Sequence, residues 1–304
     1  MSKRVGEVGL NKRGEEMTIV EYIDFSNIIV KFNSGLCVHT QYGNFKRGSV
    51  NDENYELRIG EVNKNTFGSR MTIIEYITNK SVIVKFDNEF STRCSYKQFT
   101  KGEVRNPYDK TMCNIGYIGE GSYKVKAKNK ITKQYYAWVA MMHRCYYDKY
   151  LQKRTTYQDV IVCEEWHNFQ NFAKWYDENY YGINQEIMHL DKDILIKGNK
   201  IYSPETCVFV PQNINGLFLK SDKSRGEYPI GVDYRKDMNS YQARCNTNDG
   251  EREQLGFFDS PEKAFCAYKK HKEFIIKKVA DRYKEYIPQK LYDVMYKYIV
   301  EISD

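Results

Sequence analysis

The stretch "EIMHLDKDILIKGNKIYSPETCVFVPQNINGLF", residues 186–218, decides how the middle of this chain is read. "EIMHLDKDILI" alternates as a strand does, which places His189, Asp191 and Asp193 on one face because side chains repeat every second residue. "KGNK" is a turn by composition and "CVFV" a second short strand. "PQNINGLF" then starts a helix, with Pro211 at an early position where its missing N–H is not needed. The local order is strand, turn, strand, helix.

Upstream, "YYAWVAMMHRCYYDKY" sets Trp138, Met141, Met142 and Cys145 at helical spacing. "CEEWHNFQNFAKWYDENYY" puts Trp166, Phe169, Phe172, Ala173 and Tyr176 on one stripe. Both stripes read as core. The amino-terminal third is a duplication: "RVGEVGLNKRGEEMTIVEYIDFSNIIVKFNSG" from Arg4 matches "RIGEVNKNTFGSRMTIIEYITNKSVIVKFDNE" from Arg58 at a constant offset of 54. Within each copy, β-branched runs separated by turn residues predict a meander of antiparallel strands, and the length and corner glycines suggest a small SH3-like β-barrel.

The bulk composition sets limits. A chain of 304 residues calls for more than one core. No apolar run approaches the roughly 18 residues that span a bilayer, so a cytoplasmic protein with no membrane partner is expected. The eight cysteines include no C-x-x-C pair, which argues against a zinc ribbon or a disulfide framework. The net charge of +7 is modest, but Lys269–Lys284 carries seven Lys/Arg against two acids and is a candidate phosphate-facing surface.

"CEEWHNFQNFAKW" (163–175), "LDKD" (190–193), "GNKIYSPETCVFV" (198–210) and an asparagine a few positions on resemble the HNH homing endonucleases of phages and mobile elements, over roughly residues 110–220. The resemblance implies a ββα hairpin holding Mg²⁺ (or Mn²⁺) if the chain is catalytically active. It carries the first-strand metal ligand onto Asp191 and the helix ligand onto Asn215, with Asn213 as the alternate. Phosphodiester hydrolysis needs a cation to neutralise charge on the phosphate and a base to deprotonate water. The family's base, a histidine directly after the acid, is replaced by Lys192, and a lysine of ordinary pKa near about 10.4 does not accept a proton at neutral pH. His189, two residues from Asp191, is the substitute, so the candidate catalytic set is His189, Asp191 and Lys192.

Near the carboxyl end, "GVDYRK" (231–236), "SYQAR" (240–244), "LGFFD" (255–259) and "EKAFCAYK" (262–269) resemble the AP2 DNA-binding domain, also found appended to phage HNH enzymes. The residues themselves read as three short strands joined at "DMN" and "NDG", followed by a helix that offers Ala264, Phe265 and Tyr268 to the sheet. Alternation sets Gln242 and Arg244 opposite Tyr241 and Ala243, and parts Arg235 from Tyr234 and Lys236. The resemblance makes Arg235, Lys236, Arg244 and Arg252 the DNA contacts. Two further helices broken at Pro288 close the chain.

The expected fold is α+β and multi-domain: β-barrel repeats over 1–52 and 53–107, an HNH-like ββα domain over 108–222, and an AP2-like unit with terminal helices over 223–304. The function that follows is binding of double-stranded DNA with metal-dependent cleavage. The alternatives are an inactive relic acting as a DNA-binding regulator or an inhibitor of host defence, and an interaction module gripping a protein partner through the repeats.

Overall fold

The structure, a computed structural model, describes residues 4–51, 58–183, 185–218, 227–247 and 250–302. The "NDG" turn at 248–250 and the domain boundaries at 52/53 and 222/223 fall wholly or partly outside the described residues. The fold is mixed α+β, and the chain divides into two compact units, Met1–Asp109 and Lys110–Asp304.

The first unit repeats itself in three dimensions at the sequence offset. β1 (Val8–Leu10), β2 (Glu16–Asp24), β3 (Asn27–Phe32), β4 (Cys37–Thr40) and the short helix α1 (Tyr42–Lys46) are followed by β5 (Val62–Lys64), β6 (Arg70–Thr78), β7 (Ser81–Phe86), β8 (Ser91–Cys94) and α2 (Tyr96–Lys101). Met17 pairs with Phe32 and Ile19 with Val30; in the second copy Met71 pairs with Phe86 and Ile73 with Val84. These residues are buried, and each copy closes its own core with a buried phenylalanine from its helix, Phe45 or Phe99, beside the partly buried Tyr42 or Tyr96. Each sheet runs in simple order, β1-β2-β3-β4 and β5-β6-β7-β8. Among the described residues no ladder joins the first strand to the fourth, so the expected closed barrel is instead a four-stranded antiparallel meander capped by a helical turn. The corner glycines follow from geometry. Gly48 and Gly102 have φ of +62° and +69°, and a Cβ there would lie 2.8 and 2.7 Å from the carbonyl oxygens of Leu10 and Lys64.

The second unit begins with the β9 (Lys126–Ala127) and β10 (Lys130–Ile131) hairpin and α3 (Lys133–Tyr146), which Thr132 caps. α4 (Asp148–Leu151), β11 (Ile161–Val162) and α5 (Phe169–Asn179) follow. Trp166 stands in a 3₁₀ turn ahead of α5 rather than on its stripe, because the Asn168 side chain caps the helix and restarts it. Trp138, Trp166, Phe169 and Phe172 are nonetheless all fully buried in one core.

The central hairpin is β12 (Met188–Asp191) against β14 (Val208–Pro211), while β13 (Ile201–Tyr202) leaves it to pair in parallel with β11. α6 (Gln212–Asn215) follows directly, continues as a 3₁₀ turn over Gly216–Phe218, and packs on both hairpin strands. Leu190 and Phe209 face each other in register and enter the α3–α5 core. Val208 and Val210 enter a second core with Ile214, Ile276, Val279 and Leu291. The hairpin is therefore held from both sides by packed side chains.

The last sheet is β15 (Val232–Arg235), β16 (Ser240–Asn246) and β17 (Arg252–Phe258), in that order. α7 runs unbroken from Pro261 to Tyr283, merging the expected AP2-like helix with the first terminal helix, and α8 (Gln289–Tyr296) starts after Pro288. No glycine or proline lies between Pro261 and Tyr283 to stop the helix once Ser260 has capped it. Among the described residues, no helix is long and apolar enough to cross a membrane.

Candidate nucleic-acid interface

One face of the β15–β17 sheet is packed and the other is open. Val232 pairs with Ala243, and Tyr234 with Tyr241; Val232 and Ala243 are buried with Ala264 of α7. The register sets Asp233, Arg235, Ser240 and Gln242 on the opposite side, as alternation requires. Between Ala243 and Arg244 the pairing with β17 skips Leu255, and this bulge turns Leu255 into the packed side while Arg244 stays on the open one, opposite Gln254. Asn246 and Arg252, paired beyond it, complete the open face. Lys236 departs from the expectation: it lies past the end of β15, exposed in the turn over 236–239.

The arginines of this face are already engaged. Arg235 donates to both carboxylate oxygens of Asp237, at 3.1 and 3.0 Å. Arg244 donates twice to Asp233 Oδ2, from Nε at 2.9 Å and from Nη2. Arg252 Nε donates to Asn246 Oδ1 at 3.2 Å. Between them Gln242 donates to Gln254 Oε1 at 2.9 Å, and its own Oε1 is buried without a hydrogen-bond partner. Solvent competes with ion pairs as exposed as these, so an incoming acceptor can replace the carboxylates at small cost.

The hairpin distributes its polar groups differently from the sequence expectation. Asp191 ends β12, and its Oδ1 accepts from the backbone N–H of Asp193 at 2.9 Å and of Ile194 at 2.7 Å. That turn breaks the alternation, so Asp193 is off the strand and does not share a strand face with His189 and Asp191. Burial, reinforced by the neighbouring Asp193 charge, pushes the Asp191 carboxyl up to about 6 against the two backbone donors. Burial also holds His189 below the ordinary imidazole value, and the Arg144 guanidinium adds to the effect, while a hydrogen bond with Gln212 opposes it.

Lys192 is a fastener. It is buried, and its Nζ donates to Asp193 Oδ2 and to the Asn199 carbonyl, both at 3.0 Å. Asn199 Nδ2 returns bonds to the carbonyls of Lys192 and Ile201, both at 2.7 Å. This closes the loop between β12 and β13. Asn213 donates to the Tyr283 hydroxyl at 3.2 Å, which ties α6 to α7. Asn215 is half-buried on α6 with no hydrogen-bond partner among the described residues. Among the described residues no three His, Cys, Asp or Glu side chains gather into a metal-holding group.

The basic run on α7 is spent internally only in part. Lys269 donates to the Val300 carbonyl at 2.6 Å, and Lys277 and Lys284 sit over the rings of Tyr296 and Tyr292. Burial lowers the pKa of Lys272. Lys270, Lys277, Lys278, Arg282 and Lys284 stay exposed, so five of the seven basic residues remain on the candidate phosphate-facing surface.

Sequence reasoning missed Arg144. It sits in the last turn of α3 and brings its guanidinium to the hairpin, Nη1 donating to the Leu190 carbonyl at 3.4 Å and to the Tyr202 hydroxyl at 3.2 Å. The available signal was a cation between Met142 and Cys145, beside the buried stripe of α3. No protein-family model, curated protein or solved structure matches this chain.

Proposed function

We propose that the chain binds duplex DNA through the open face of the β15–β17 sheet. The observation that carries this reading is the collection of Arg235, Arg244, Arg252 and Gln254 on one side of a small sheet whose other side is packed by α7, with the buried Gln242 holding Gln254 between them. A sheet of this width enters the major groove, where arginine pairs with guanine O6/N7 and glutamine with adenine N6/N7. The AP2-like order of motifs supports the same reading, and the tandem meanders are read with it as SH3-like modules that grip DNA or a protein partner. The test is fluorescence anisotropy with labelled duplex over a range of KCl. Binding should weaken steeply with salt, and Arg235→Ala with Arg244→Ala should remove it. Salt-insensitive binding, or a double variant that binds like the parent, contradicts the reading.

A second reading, metal-dependent phosphodiester cleavage, is favoured by the ββα order of β12, β14 and α6 with Asp191 at the strand end. In it Asp191 and Asn215 would hold Mg²⁺, and His189 would take the proton from water. Lys192, fixed by Asp193 and Asn199, serves as loop architecture. Nicking of supercoiled plasmid carrying the selected target, dependent on Mg²⁺ or Mn²⁺ and lost in Asp191→Ala, is the expected result. An intact plasmid leaves the hairpin as scaffold for a DNA-binding regulator.

A further inference from the structure

Arg144 differs from Arg235 and Arg244 of the open sheet face in having no carboxylate partner among the described residues. Its Nη1 is spent on two neutral acceptors, the Leu190 carbonyl and the Tyr202 hydroxyl. The remaining N–H groups of its fork carry no hydrogen bond among the described residues, and the side chain is half-buried, so it is not sealed from an incoming group. A cation drawn partly out of water without a counter-charge is unfavourable, and an anion reaching it would offset that. The nearest strand acid in sequence, Asp191, spends one oxygen on two backbone N–H groups.

We propose that Arg144, at the rim of the β12–β14 hairpin, is a binding site for a phosphate oxyanion, and that in the DNA complex it holds a backbone phosphate at a second place on the molecule besides the β15–β17 sheet. The planar fork matches two phosphate oxygens at once, which a lysine does not. The bonds to Leu190 and Tyr202 pre-orient it, and they join α3, β12 and β13 around the same point. The inference rests on the DNA-binding reading for the source of the phosphate, although free phosphate shares the chemistry.

The test uses the whole chain labelled with ¹⁵N-arginine. The Arg144 Nε resonance, assigned by its loss in Arg144→Lys, should shift saturably with inorganic phosphate and with a short duplex, and stay still with chloride. In anisotropy, Arg144→Gln should weaken duplex binding about tenfold and reduce the slope of log K against log salt by about 0.9, the loss of one phosphate contact. Melting of Arg144→Gln close to that of the parent shows that the loss is not one of folding; where that variant melts early, the resonance of the unmutated chain decides. A duplex that binds while the Arg144 resonance stays still and the slope is unchanged overturns the inference and leaves the DNA-binding reading standing. A resonance that moves with inorganic phosphate in a chain that binds no duplex supports the anion site, assigns it to free phosphate and removes the DNA-binding reading.

Discussion

Arg244 on β16 is held by Asp233 on the neighbouring strand β15, with Nε 2.9 Å from Oδ2, so a central cation of the open face meets its partner inside the same sheet. The pair is exposed enough for water to compete, with side-chain exposures of 30% and 52%. Asp233→Asn should therefore leave thermal stability within about 1 kcal/mol of the parent. It should also tighten duplex binding by roughly 3–10-fold at low salt, since it frees the guanidinium and removes a charge that repels phosphate. Anisotropy and thermal melting check both parts; weaker binding would show that Arg244 needs Asp233 to orient it.

Asp191 gives a pH signature. Its folded pKa is raised above the unfolded value, so its contribution to stability is full below about 4, near the unfolded pKa, and is lost as pH rises through about 6. Asp191→Asn keeps an oxygen for the N–H groups of Asp193 and Ile194 and carries no charge. Urea unfolding in EDTA should find the variant equal to the parent near pH 4 and more stable by roughly 1–3 kcal/mol at pH 8. A variant that is less stable at pH 8 contradicts the assignment.

Lys192→Met should destabilise the second unit by about 1–2 kcal/mol, because it removes the donor to Asn199 O and to Asp193 from a buried position. Chemical denaturation measures the loss, and an unchanged midpoint would deny Lys192 its fastening role.

Gly102→Ala forces a Cβ to within 2.7 Å of the Lys64 carbonyl oxygen at a φ of +69°, and Gly48→Ala repeats the clash at Leu10. Each should cost roughly 2 kcal/mol or more, felt in its own repeat because the two cores are separate. Hydrogen exchange should show Gly48→Ala loosening β1–β4 and sparing β5–β8; loosening of both would mean that the repeats fold as one unit.

The duplication was legible to the residue, because β-branched runs fix strands locally and both copies share their strand ends at the offset of 54. The faces of β16 were legible too, since alternation separates Gln242 and Arg244 from Tyr241 and Ala243 before any pairing is known. What escaped depends on contacts distant in sequence or on a side chain competing with the backbone. Asp191 captures two N–H groups and ends the strand early, which no periodicity shows. Arg244 finds Asp233 only through the β15–β16 register, and Arg144 meets Leu190 across 46 residues of chain. Lys269 reads as part of a free basic face until the residues after α8 take it up.

Selection of bound duplexes from a random pool, repeated with Arg244→Ala and with Arg235→Ala, tests the open-face account most directly. The account predicts a defined consensus for the parent and, for each variant, relaxed preference at one position, with the remaining positions retained. The same consensus from all three proteins, or no enrichment by the parent, would contradict it.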